Sequence, residues 1–178
     1  MDRARPIFLT GFMATGKSRL GRLLAARLGR PFYDTDRMVE ERAGQTVPEI
    51  FADRGEEAFR ELESACVREA AALDGAVVAL GGGAITLSEN RKAIRGAGAV
   101  LVCVEADVES ILKRLSRKED RPLLAGLTPD QRRQKIEEML AERAPFYGAA
   151  DITVRTSEET SAEAVAGGLA RRLEECPR

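Results

Sequence analysis

Five short apolar runs punctuate the chain, and each leads into a stretch where apolar residues recur every three or four positions. Ile7–Thr10, Pro31–Tyr33, Ala76–Leu80, Ala99–Val104 and Ile152–Val154 read as strands. The stretches between them predict helices over Lys17–Leu28, Arg37–Ala43 with Pro48–Leu73, Glu89–Gly96, Val108–Leu115 with Pro129–Arg143, and Ser161–Leu173. Helix-start chemistry agrees in two places. Thr46-x-x-Glu49 and Thr128-x-x-Gln131 fit capping boxes, and Pro129 suits a first helical position. Strands that are apolar throughout, without a polar alternate, belong in a sheet buried on both faces. Alternation with helices makes that sheet parallel and the fold α/β. Ligands in such sheets bind beyond the carboxyl ends of the strands, so the residues that follow each strand carry the functional signal.

Composition narrows the class. The 178 residues suffice for one domain with a real core. With 44% apolar and 32% charged residues, the chain is expected to be a soluble globular protein. A net charge of −1 offers no global field for nucleic acid or an acidic membrane surface. No apolar run approaches a membrane span, and MDRARPIFLT lacks the apolar segment of a signal peptide. Three cysteines without CxxC spacing and no histidine argue against zinc and against any His-dependent triad, and a reducing cytoplasm is expected.

After the first strand comes GFMATGKS, Gly11 to Ser18, which matches G-x-x-x-x-G-K-[ST] between a strand and an amphipathic helix. Glycines let backbone N–H groups turn toward a polyphosphate, and the helix N-terminus adds partial positive charge. Lys17 can reach the β- and γ-phosphates and Ser18 can ligate Mg²⁺, so ATP or GTP binding is expected. The second strand runs into Asp34-Thr35-Asp36. Locally, Asp36 reads as an N-cap for the helix near Arg37. In the sheet this strand end should adjoin the phosphate loop, where an aspartate can accept the proton of an attacking hydroxyl.

Four further features each admit two readings. Arg60 has Glu56 four residues before it and Glu63 three after, which fits either an exposed ion-paired helix or a guanidinium fork held for a substrate carboxylate. Gly81-Gly82-Gly83 end the third strand, as a tight turn or as a place of close backbone approach with N–H donors for a ligand. Arg143, without an acid three or four residues before it, is a cation matched to a helix C-terminus or a second anchor for an anion. The charged stretch from Lys113 to Leu124 is a solvated basic loop or a lid that carries an arginine over the γ-phosphate.

GFMATGKS, FYDTD, GEEAFRELE, VALGGGAIT, DRPLL and ERAPFY, in this order and spacing, together resemble the shikimate kinase family of phosphate-loop enzymes, from Phe8 to about Leu173. The resemblance implies a three-layer α/β sandwich on a five-stranded parallel sheet of order 2-3-1-4-5, in one domain spanning residues 1–178. It implies a substrate-binding helical region about 34–62 and a mobile lid about 116–128. The implied activity is transfer of the γ-phosphoryl group of ATP to the 3-hydroxyl of shikimate, with Mg²⁺, by a cytoplasmic monomer. ATP would be held by Gly11, Met13, Ala14, Thr15, Gly16, Lys17, Ser18 and Arg19, with Arg114, Arg121 and Thr156. Shikimate would meet Asp36, Arg60, Gly81, Gly82, Gly83 and Arg143, with Glu63 orienting Arg60 and Phe51 and Phe59 walling the pocket. Lys17, Asp36 and Arg121 would be catalytic, and Ser18 and Asp34 would hold the metal, Asp34 through water. Ala14 stands where many members have glycine, and Arg19 where threonine is common. The rival readings are a related small-molecule kinase such as a gluconate kinase and a nucleotide-binding module without catalysis.

Overall fold

The computed structural model describes residues 5–116 and 122–175. Five parallel strands, β1 (Ile7–Thr10), β2 (Phe32–Asp34), β3 (Val77–Ala79), β4 (Val100–Glu105) and β5 (Ile152–Arg155), form one sheet in the order β2-β3-β1-β4-β5. Each coincides with an expected apolar run to within two residues at either end. In register, Ile7 lies between Val77 and Val100, so β1 is central and its carboxyl end opens between β3 and β4.

Alternate side chains of the strands point to opposite faces, and both faces are covered. On one face Phe8 and Val78 meet Val67 of α3 (Val47–Ala71), Ile94 of α4 (Ser88–Gly96), Ile111 of α5 (Val108–Leu115) and Ile136 of α6 (Pro129–Tyr147). On the other, Ile7, Leu9 and Val102 meet Leu20 and Leu24 of α1 (Lys17–Leu28) and Leu169 of α7 (Ala162–Glu175). The three expected layers are present, with the strand carboxyl ends left open. A smaller cluster of Val39, Ile50, Phe59 and Cys66 fastens α2 (Thr35–Ala43) to α3. Among the described residues no helix is long and apolar enough to cross a membrane.

Three helices depart from the sequence expectation in ways that shape the site. α2 starts at Thr35 rather than near Arg37, with Asp34 as its N-cap, accepting from the Asp36 N–H at 3.1 Å. α3 is broken at Gly55, whose φ of 81° and ψ of 175° lie in a region open almost only to glycine. In an unbroken helix, residues eight apart would stand about 12 Å apart along the axis. Across this break the Phe51 and Phe59 rings lie 4.8 Å apart, centre to centre. α6 runs through Pro145 to Tyr147 instead of ending at Arg143. An interior proline costs roughly 3 kcal/mol. The turn beyond it is anchored by contacts elsewhere: Phe146 lies under the Arg91 guanidinium, and Tyr147 is buried and hydrogen-bonded. Both expected capping boxes are formed, at Thr46 with Glu49 and at Thr128 with Gln131.

Candidate active site

The phosphate loop leaves β1 and enters α1 at the centre of the open edge. Lys17 is buried, and its Nζ donates to the carbonyls of Gly11 at 2.8 Å and Phe12 at 2.7 Å. Its ammonium is therefore held inside the loop's curl by backbone oxygen. Thr15 closes the curl by donating to the Phe12 carbonyl at 2.9 Å. Ala14 has a φ of 60°, a left-handed conformation that a side chain makes costly; this is the place where a glycine would sit without strain. The Ser18 hydroxyl donates to Asp34 Oδ2 at 2.5 Å, which links the start of α1 to the end of β2.

Arg114 and Thr156 brace the loop from behind. Arg114 donates to the Ala14 carbonyl and to the Thr156 hydroxyl, each at 3.1 Å, and the buried Thr156 hydroxyl donates to the Thr15 carbonyl at 2.8 Å. The Arg19 side chain is turned away, paired with Glu163 of α7 at 3.2 Å and 70% exposed. What it leaves at the loop is its backbone N–H in the first turn of α1, one of the donors a helix start keeps open. Arg121 lies outside the described residues, as does residue 117 to 120 of the expected lid.

Asp36 does not cap its helix, because Asp34 does. In the first turn of α2, Asp36 lines a cleft of about 510 Å³ open to solvent, together with Met13, Phe51, Phe59, Arg60, Glu63, Gly82, Gly83 and Arg143. Gly82 and Gly83 form the floor of this cleft with Gly81 beneath it, and the reason the triplet lacks side chains is specific. A Cβ on Gly81 would collide with Glu63 Oε1 and stand 2.6 Å from Asp36 Oδ1. One on Gly83 would stand 2.7 Å from Arg60 Nη2. The glycines make room for the protein's own charged groups. The expectation that the triplet's N–H groups face a ligand is corrected for Gly81: its N–H donates to Thr35 Oγ1 at 2.9 Å, in a buried bond.

Arg60 is gripped from both sides, by Glu63 at 2.7 Å and Glu56 at 3.0 Å. Burial works against its charge, but the two carboxylates outweigh that and hold its pKa above the usual guanidinium value. The bland alternative, a solvated ion-paired helix, fails on burial, since Arg60 is 19% exposed at its side chain and Glu63 only 1%. Burial pushes Glu63 up to about 7 against the pull of Arg60; Asp36 raises it further and Arg143 lowers it. Arg143 is buried, lies 5.5 Å from the Phe12 ring centre and donates to the Gly82 carbonyl at 3.0 Å. It is not a helix-terminal cation, because α6 continues for another turn.

Two site residues were missed from sequence. Tyr147, one turn after Arg143, donates to the same Gly82 carbonyl at 3.0 Å, and burial raises its pKa. The i,i+4 spacing was visible, but Pro145 hid the helix that makes it meaningful. Thr35, wholly buried between the two aspartates, ties α2 to the glycine floor. The site thus places a loop suited to phosphates beside a cleft lined by two carboxylates and two guanidinium groups, Arg60 half-buried and Arg143 buried. That arrangement suits transfer of a phosphoryl group to a small hydroxylated anion.

Comparison with known proteins agrees with this chemistry. A family model described as shikimate kinase matches residues 13–174. The shikimate kinase of Caldanaerobacter subterraneus subsp. tengcongensis is 45% identical over 88% of this chain and 90% of that protein. That of Pseudomonas syringae pv. syringae is 43% identical over 98% of this chain and 99% of that protein. The solved structure of shikimate kinase from Acinetobacter baumannii in complex with shikimate aligns with a TM-score of 0.89 at 34% identity, over 97% of this chain and 94% of that one. A family match over residues 13–174, with relatives aligned over nearly the whole chain, makes the chain a member of the shikimate kinase family.

Proposed function

We propose that the protein transfers the γ-phosphoryl group of ATP to the 3-hydroxyl of shikimate, giving shikimate 3-phosphate and ADP. The observation that carries this reading is the pair of guanidinium groups, half-buried Arg60 and buried Arg143, lining one cleft together with Gly82, Gly83 and Met13 of the phosphate loop. A planar fork on each side suits a carboxylate, and Asp36 on the same wall suits a ring hydroxyl.

In this reading the backbone of Gly11 to Ser18 and the start of α1 hold the polyphosphate, and Lys17 leaves its carbonyl partners for the β- and γ-phosphates. Arg114 and Thr156 keep the loop's shape, with the adenine expected on their outer side. The residues present fit Mg²⁺: Ser18 and Asp34 supply hard oxygen donors that already touch, while among the described residues no cluster of three or more acidic or cysteine side chains forms a self-contained cage. Ser18 would bind the ion directly and Asp34 through water, the remaining positions going to water and phosphate. Bound there, the ion neutralises charge on the phosphates. Arg60 and Arg143 fix the substrate carboxylate, and Phe51 and Phe59 cover the apolar side of the ring. Asp36 orients the 3-hydroxyl and accepts its proton as the oxygen bonds to the γ-phosphorus and the bond to the ADP oxygen breaks. Arg121 supplies a further positive charge by family resemblance. Catalysis is then mainly positioning and charge stabilisation.

The test is ADP release from Mg²⁺-ATP with shikimate, gluconate or a nucleoside monophosphate as acceptor. Shikimate alone is expected to drive turnover. Folded protein that binds ATP and turns over gluconate or a nucleotide, and not shikimate, would contradict the reading.

A further inference from the structure

The mechanism above leaves one buried group half used. Glu63 is wholly inaccessible; Oε2 accepts from Arg60 at 2.7 Å, and Oε1 is buried with no hydrogen-bond partner. Oε1 and Asp36 Oδ1 both crowd the place that a Cβ on Gly81 would take, which puts the two carboxylate oxygens about 5 Å apart at most. Among the described residues, the titratable and charged groups that face Glu63 are Asp36 from α2, Arg60 with its second acid Glu56 and also Cys66 from α3 itself, and Arg143 from α6. The ionised form of Glu63 therefore depends on Arg60, with help from Arg143.

An anionic substrate that engages these same guanidinium groups takes away part of that support and adds a negative charge to the cleft. Both effects favour the protonated acid. A proton on Glu63 also relieves its repulsion with Asp36, and it gives the unpartnered oxygen the capacity to donate. We infer that Glu63 takes up a proton when a substrate carboxylate binds to Arg60 and Arg143, so that substrate binding and protonation of this one side chain are linked. Glu63 is thereby a positioning residue whose charge adjusts as Arg60 turns from its internal partner to the substrate. The inference rests on the proposed shikimate site.

The sign follows from linkage. With its free-state pKa already near 7, Glu63 is protonated in both states at lower pH and binding there releases or takes up nothing. Above that pH, binding draws a proton from the buffer until the pKa of the complex is also passed. A rise of one unit on binding corresponds to about half a proton taken up at the midpoint and to about tenfold weaker affinity across the whole window.

Calorimetric titration of the intact enzyme with shikimate, without nucleotide, tests this in two buffers of different ionisation enthalpy between pH 6 and 9. The expected result is a buffer-dependent enthalpy above pH 7 that reports proton uptake, together with a Kd that rises with pH. In Glu63→Gln both dependences should vanish, with the Kd staying near the low-pH value. Infrared difference spectra of the wild-type protein supply a readout that needs no variant: shikimate should remove a carboxylate stretch and add a protonated-carboxyl stretch. Binding with no buffer dependence and no such band overturns the inference and leaves the shikimate reading standing. Uptake that persists in Glu63→Gln assigns the proton elsewhere and also overturns it. No binding of shikimate at any pH overturns the proposed function itself, and the inference with it.

Discussion

Arg60 shows why spacing alone could not separate a structural ion pair from a substrate clamp. Glu56 and Glu63 sit at helical distances on any reading, and such pairs on a surface are worth only tenths of a kcal/mol. What speaks against a solvated surface pair is that Glu63 is wholly buried while Glu56 is exposed, a difference set by the packing of α3 and invisible in the local sequence. Arg60→Ala is expected to weaken shikimate binding about 30-fold or more, since it removes charge-assisted bonds to an anion, while the Kd for ATP changes by less than about twofold. Arg60→Lys, which keeps the charge and loses the fork, should fall between. Paired titrations with each ligand check this, and equal losses for both ligands would mark Arg60 as structural. The triplet Gly81–Gly83 is a similar case. Its position at a strand end was legible, and its purpose was not. The side chains it makes room for, those of Asp36, Glu63 and Arg60, come from two other elements.

At the scale of elements, most boundaries were readable because apolar periodicity and caps agree. The misses have local causes. Asp34 and Asp36 are both good caps, and the chain uses the first, which shifts α2 by two residues and leaves Asp36 lining the cleft. Pro145 is a strong stop signal overruled by the anchoring of Phe146 and Tyr147. Gly55 gives opposite expectations on the two views. As an ordinary helix-interior residue, replacing it by alanine would stabilise by about 1 kcal/mol. At φ 81° and ψ 175° the same change strains the backbone, although a Cβ there meets no atom within 4 Å. Gly55→Ala is therefore expected to destabilise by about 1–3 kcal/mol and to weaken shikimate binding by disturbing the Phe51–Phe59 wall. Urea unfolding of the variant measures the first effect. A gain in stability would show that the break tolerates helical geometry.

Across the whole molecule, the alternation of strands and helices was enough for a parallel α/β sheet, and the family resemblance supplied its order. The order has a direct consequence. With β1 between β3 and β4, and β2 beyond β3, the phosphate loop, the glycine floor and the Asp34–Asp36 corner come to one edge from segments about 20 to 70 residues apart in the chain. In the proposed function, two glycine-rich strand ends serve separate ends of one reaction, the first shaped for a polyphosphate donor and the second for an acceptor gripped by Arg60 and Arg143. Periodicity could not reveal this, because it carries no information about which strands are neighbours. The most direct test of that division is the identity of the product. After incubation of the protein with Mg²⁺-ATP and shikimate, phosphorus–proton correlation NMR is predicted to show one new phosphomonoester coupled to the ring proton at carbon 3, in equal amount to ADP. ADP formed with free phosphate and no phosphorylated ring, or a phosphoryl group on another hydroxyl, would contradict the account.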